Sequence, residues 1–215
     1  MTALQPRFIE AVVADARAAL TMRADPAANS TGLRFAFEVV RMMLVADAYF
    51  AQVCYRARVR LYVRRVPILP HLLHRMSMRS AQVCIGNPVL IAPGVYFPHG
   101  QVVIDGFTRI HPYVSIRPFV TMGLKEGEPT GPTIGPFTQI GTGAKVIGPV
   151  HLGRDVRIGA GAIVITDIPD GATAVGTPAR VIRRPEPGPT RPEPDSAETG
   201  SPTTVGTSSG GWADQ

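Results

Sequence analysis

From Ile134 onward an aliphatic side chain returns at every sixth position: Ile134, Ile140, Val146, Leu152, Ile158 and Val164. The same period runs upstream through Ile104, Ile110, Ile116 and Met122. Four residues after most of these comes a small or β-branched one, at Thr108, Val114, Val120, Thr138, Ala144, Val150, Val156 and Ala162. Glycine often follows the aliphatic residue directly, at Gly135, Gly141, Gly153 and Gly159. An amphipathic strand alternates every two residues and singles out no sixth position. An α-helix drifts out of phase with six within two turns. The period fits a parallel β-solenoid with short strands for sides. The aliphatic residue then fills the interior at each corner, the small residue occupies the narrow space beside it, and glycine is expected to supply positive φ at the corner.

The rest of the chain differs on either side. Residues 1–80 read as helical. The run from Leu33 to Arg65 has no proline or glycine, and its apolar residues recur at three- and four-residue steps. Ser30 and Thr31 stand at its start as candidate N-caps. Asp25-Pro26 closes an earlier helix, and Pro67 and Pro70 leave a short last one before Cys84. The solenoid is expected over 81–183. From 184 to 215 the chain is rich in Pro, Gly, Ser and Thr with a single aromatic, Trp212, and is expected to be disordered. The fold class is thus a β-solenoid with an N-terminal α-helical region and a disordered tail.

No run approaches the roughly 18 uncharged apolar residues that cross a bilayer. The N-terminus lacks the apolar core of a signal peptide. The two cysteines, Cys54 and Cys84, have no metal-ligand spacing, so a reducing cytoplasm is expected. The net charge of +6 is uneven: between Asp47 and Asp105 there is no acidic residue, while Arg56, Arg58, Arg60, Arg64, Arg65, Arg75 and Arg79 fall in the gap. The simplest reading of such a run is a solvated helix face. Two tyrosines among these charges, Tyr55 and Tyr62, are too few for a single-strand binding surface, so no nucleic-acid partner is expected, and membrane-surface contact by the basic helix is a minor alternative.

The repeat array resembles the hexapeptide-repeat acyltransferases, which form a left-handed β-helix of three-sided coils. The segment Ile158 to Ile182, IGAGAIVITDIPDGATAVGTPARVI, resembles that family's closing coil. Within the family the chain is most similar to the serine acetyltransferases and their shorter relatives. The features carrying this are the Asp-Pro-Ala element in ADPAA (Ala24 to Ala28), the segment IAPGVYFPHG (Ile91 to Gly100), and the repeats behind it.

The resemblance implies an acetyl-CoA-dependent O-acetyltransferase, serine O-acetyltransferase-like, active as a homotrimer or dimer of trimers. Acetyl-CoA would lie in a groove between neighbouring solenoids. His99 matches the general base that takes the proton of a small hydroxyl acceptor, a role suited to imidazole with its ordinary pKa of about 6.5. Gly123, Gly143, Ala144, Ala162, Thr177, Pro178 and Arg180 match positions lining the CoA groove, with Arg180 and Arg183 suited to its phosphates. The chain departs from the family pattern at Pro98 and Cys84, where acidic residues are usual, and in the loop Gly123 to Thr133, which lacks the family's Arg-His pair. An acceptor other than serine (a sugar, polyol or natural-product hydroxyl) and an inactive solenoid scaffold are the alternatives. The chain ends in Gln215 and not isoleucine, so no docking to cysteine synthase is expected.

No metal is expected. Of the histidines, His99, His111 and His151 lie in the array, twelve and forty residues apart, which in eighteen-residue coils does not stack them on one face. His71 and His74 fall in the helical connector and are weaker site candidates, as is His111.

Overall fold

The computed structural model describes residues 7–183; the tail expected to be disordered lies outside them. Four α-helices and a short 3-10 helix come first: α1 (Phe8–Met22), the 3-10 helix (Pro26–Asn29), α2 (Gly32–Val45), α3 (Asp47–Val63) and α4 (Leu69–Ala81). Strands β1–β14, numbered in chain order, follow. Successive strands pass to successive sheets. One sheet holds β1 (Val83–Ile85), β3 (Val102–Ile104), β6 (Thr121–Gly123), β9 (Lys145–Ile147) and β12 (Ile163–Val164). The second holds β2 (Leu90–Ile91), β4 (Arg109–Ile110), β7 (Thr133–Ile134) and β10 (His151–Leu152). The third holds β5 (Ser115–Ile116), β8 (Gln139–Ile140), β11 (Arg157–Ile158), β13 (Thr173–Val175) and β14 (Arg180–Arg183). All pairings are parallel except β13 with β14, which turns the chain back on the last coil.

The repeat is therefore a three-sided solenoid, and the register counts its coils. Val103 pairs with Thr121 and Thr133 with His151, an eighteen-residue coil of three hexapeptides. Val83 pairs with Val102 and Leu90 with Arg109, nineteen residues apart, so the first coil carries one extra residue. Arg109 pairs with Thr133 and Ser115 with Gln139, twenty-four apart, because the loop after β6 inserts a hexapeptide's length. The period-six aliphatic residues are buried to a last few per cent, and so are Thr108, Val114, Thr138 and Ala144 at the small positions. The two buried threonines are satisfied: Thr138 Oγ1 donates to the Gly153 carbonyl (2.9 Å), and Thr108 Oγ1 to that of Asp105 (2.6 Å).

Three expectations about local conformation change. Gly135, Gly141, Gly153 and Gly159 do not supply positive φ; that conformation falls two residues later, at Phe137, Gly143, Asp155 and Gly161. The directly following glycines answer a different need. A Cβ on Gly135 would lie 2.5 Å from the Gly153 carbonyl oxygen, and one on Gly141 2.6 Å from the Ala160 amide. The next coil passes too close for any side chain. The long helical run is also broken, at Ala46 (φ −109°, ψ 94°), where α2 folds back so that Phe35 and Met42 pack with Ala16, Leu20 and Tyr49. Neither N-cap expectation holds in full: Thr31 occupies the cap of α2 without a side-chain hydrogen bond, and Ser30 donates backwards to Ala27.

The basic helix α3 is not simply a solvated face. Arg56 and Arg58 are buried. The first coil gives its amides to the second, as Leu90 N does to Thr108 O, so its carbonyls point back toward the helices. Those carbonyls would be buried without partners, which is costly. Side chains of α3 supply the donors: Tyr55 to Val89 (2.8 Å), Gln52 to Val95 (2.9 Å), Arg56 to Ile91 and Ala92, and Arg58 to Ile85. Asp15 of α1 completes the contact, pairing with Arg56 and accepting the Gly94 amide at 2.8 Å. The helices thus cap the solenoid's open end. Among the described residues no helix is long and apolar enough to cross a membrane.

Candidate functional site

His99 sits in the corner where the extra residue of the first coil is accommodated. The Gln101 amide donates to the Ala81 carbonyl (2.7 Å), which ties this corner to the end of α4. Gln101 itself has positive φ, as do Phe119, Gly143 and Gly161. These four stand above one another on a single edge: the Phe119 amide donates to Gln101 O (2.8 Å), Gly143 N to Pro118 O (2.9 Å), and Gly161 N to Thr142 O (2.8 Å). At the top, Thr177 Oγ1 reaches Gly161 O at 3.4 Å. With strands about 4.8 Å apart, the four coil steps from the His99 corner to the Thr177-Pro178 turn rise about 19 Å.

The His99 side chain is exposed and lines a cavity of about 380 Å3 at the foot of this edge. The cavity lies between the solenoid, the break between α2 and α3, and the end of α4; its charged groups are Arg23, Asp47, Arg79 and His99. Among the described residues the His99 ring has no hydrogen-bond partner. Pro98 lines the cavity beside it but has no side-chain hydrogen-bonding group to orient the imidazole, and Cys84, in the middle of β1, does not line it. Asp25 of the ADPAA element is used locally, accepting the Ala27 amide at 2.9 Å and lying 3.7 Å from Arg41.

The cofactor candidates divide. Gly143, Thr177 and Pro178 share the edge that begins at the His99 corner, and Arg180 is exposed at the start of β14 beside them. Arg183 ends the same strand. Gly123 is on the next corner, at the far end of β6, where the 124–132 loop leaves. Ala144 and Ala162 lie inward of that edge. Both are completely buried, because the small position of the hexapeptide points into the solenoid. The surface of those hexapeptides is made by Gly143 and Gly161 instead. Period and spacing did not single out Phe119, which is 56% exposed on the same edge, or Asp47 and Arg79, which the helical connector carries into the cavity.

The other histidines lie elsewhere. His71 packs edge-on against Tyr62 with ring centroids 6.0 Å apart, and His74 Nδ1 meets an Arg58 nitrogen at 2.6 Å. The spacing that separates His111 from His151 does not hold, since the six-residue insertion brings Arg109, Thr133 and His151 into one column. Burial, the charge of His151 and that of Arg109 together lower the His111 pKa. Among the described residues, no three His, Cys, Asp or Glu side chains group as metal ligands.

Residues 131–166 match the family described as "Bacterial transferase hexapeptide (six repeats)", which places the solenoid with the hexapeptide transferases. The chain is 37% identical over 163 residues to the serine acetyltransferase of Synechococcus elongatus, covering 74% of this chain and 64% of that one. It is 36% identical over 167 residues to that of Helicobacter pylori, covering 76% of this chain and 92% of its relative. Among solved structures, soybean serine acetyltransferase complexed with serine is 31% identical with a TM-score of 0.68, over 81% of this chain and 69% of that one. A serine acetyltransferase in complex with CoA is 28% identical with a TM-score of 0.69, over 81% and 70%. The chain belongs to the serine acetyltransferase family. It spans just under two thirds of the Synechococcus enzyme and nearly all of the Helicobacter one.

Proposed function

We propose that this protein is an acetyl-CoA-dependent serine O-acetyltransferase built on a left-handed β-helix, acting as a homotrimer or a pair of trimers. His99 is the general base. Its imidazole takes the proton of the acceptor hydroxyl as that oxygen attacks the thioester carbonyl. When the tetrahedral intermediate collapses, the C–S bond breaks, and the imidazolium returns its proton to the departing CoA sulfur. The products are the O-acetyl ester and CoA. Gly143, Thr177, Pro178 and Arg180 hold the donor along the edge; the small residues admit the pantetheine arm close to the backbone, and the arginine pairs with phosphate.

The observation carrying this reading is the position of His99: exposed, lining the open cavity between the solenoid and the helical cap, and at the foot of the edge that leads to the Thr177-Pro178 turn. Serine follows from the relatives' names and from one being solved with serine bound. The test is release of CoA from acetyl-CoA across a panel of serine, sugars and polyols, with His99→Ala alongside. Loss of the base is expected to lower kcat by about 10²–10⁴-fold while the assembly keeps its size on a sizing column. Undiminished turnover in His99→Ala would overturn the role of His99; turnover of a sugar but not serine would overturn the acceptor.

A further inference from the structure

We propose that Asp47 and Arg79 are the acceptor-selecting residues of the His99 cavity, holding the ammonium and the carboxylate of an α-amino acid; this rests on the transferase reading above. Around the imidazole the cavity presents one carboxylate and two guanidiniums. The two guanidiniums are not equivalent. Arg23 lies along Tyr96, with Nε donating to its hydroxyl at 3.3 Å and its guanidinium 6.0 Å from the ring. Arg79, in the last turn of α4, has no hydrogen bond or ion pair among the described residues. Asp47, in the first turn of α3, has none either.

Unpaired charges of opposite sign in one small cavity are complementary to a zwitterion. Both side chains are exposed, and a sugar or polyol carries no charge to pair with either. A carboxylate suits Arg79, whose planar fork can bind both oxygens. An ammonium suits Asp47, and a hydroxyl on the next carbon would then face His99. The loop between Gly123 and Thr133 offers no substitute. It contains no arginine or histidine, its lysine Lys125 stands 3.9 Å from Glu128, and it opens on a separate cleft. The cavity, at about 380 Å3, is near the small end of the range for small-molecule sites.

Asp47→Asn and Arg79→Met test this in the full-length protein, with serine, 3-hydroxypropionate (no ammonium) and ethanolamine (no carboxylate) as acceptors. Each variant is expected to raise the serine KM and the calorimetric Kd roughly 10–100-fold, the loss of one charged hydrogen-bonded contact, with the acetyl-CoA KM within about twofold. Asp47→Asn should lose the preference for serine over 3-hydroxypropionate, and Arg79→Met that over ethanolamine. This crossed pattern is one that a structural lesion does not produce, and Asp47→Glu and Arg79→Lys should restore part of it. Serine constants unchanged in both variants, or equal losses on all three acceptors, would overturn the clamp. If the wild type transferred acetyl to no acceptor, the transferase reading would fall, and calorimetry with serine alone would still decide the clamp. Turnover of polyols with no serine binding would overturn the clamp and leave His99 as the base.

Discussion

Gly100 is pressed against the end of α4 at Ala81: a methyl group on Gly100 would lie 1.8 Å from the Ala81 carbonyl oxygen, the same oxygen that accepts the Gln101 amide. The conflict is with backbone, which cannot swing aside. The residue after His99 therefore has to be glycine for the solenoid's first corner and the helical cap to meet, and the cavity wall is set by that meeting.

Replacing Gly100 with alanine should separate the corner from α4. Stability is expected to fall by about 1–3 kcal/mol, the cost of overpacking, read from urea melts. The kcat for acetyl transfer should fall at least about tenfold, since displacements of an ångström matter at a reacting centre. A variant with normal kcat would show that the contact does not position His99.

Glycines of the array should separate into two groups. Gly153→Ala places a Cβ 2.1 Å from Asp170 Oδ1 and 2.6 Å from its amide, and Gly135→Ala meets the Gly153 carbonyl. Both should cost toward the upper end of about 1–3 kcal/mol. Gly161 has positive φ (+67°) but nothing within 4 Å of a Cβ, so Gly161→Ala should cost only about 1–2 kcal/mol, from the left-handed conformation. Chemical denaturation of the three variants gives the order directly.

That division shows where the sequence could be read and where it could not. The six-residue period revealed the solenoid because each side of a coil buries the same two positions. The glycine following each aliphatic residue looked like a turn residue because a one-dimensional pattern does not show the coil above. The break at Ala46 has no proline or glycine to announce it; packing of Phe35 and Met42 onto α1 overrides local propensity there. Asp47 enters the cavity only because of that break. The roles of Arg56 and Arg58 depended on knowing that the first coil turns its carbonyls toward α3.

Acid should weaken the junction of α3 and α4. Burial, the Arg58 charge and His71 together lower the His74 pKa below its ordinary 6.5. The unfolded chain then binds the proton more readily. The contribution is complete above pH 6.5 and is lost as pH falls through the lowered folded value. His111, also lowered, acts in the same window. Tm should fall from pH 7 to pH 5, and His74→Gln, which cannot titrate, should show a shallower slope. Equal slopes would remove His74 from this account.

Asp15 and Arg56 should behave as an unequal pair. The Arg56 Nε to Asp15 Oδ2 distance is 3.0 Å, and both side chains are at most 3% exposed. Burial pushes the Asp15 carboxyl above its ordinary range, while the Arg56 charge and the amides of Gly94 and Val95 pull it back. Arg56→Met strips donors from Asp15 and from the Ile91 and Ala92 carbonyls at once, and leaves a buried acid unpaired. It should cost about 3–5 kcal/mol. Asp15→Asn keeps an acceptor for the Gly94 amide and leaves Arg56 bonded to the first coil, so about 1–3 kcal/mol is expected. In the double variant Asp15→Leu/Arg56→Met no charge remains to be stranded, and the loss should be well below the sum of the single effects. Urea melts of the series measure the coupling. Strict additivity would mean that the two side chains do not hold the cap as a unit, and that the solenoid end depends on Tyr55 and Gln52 instead.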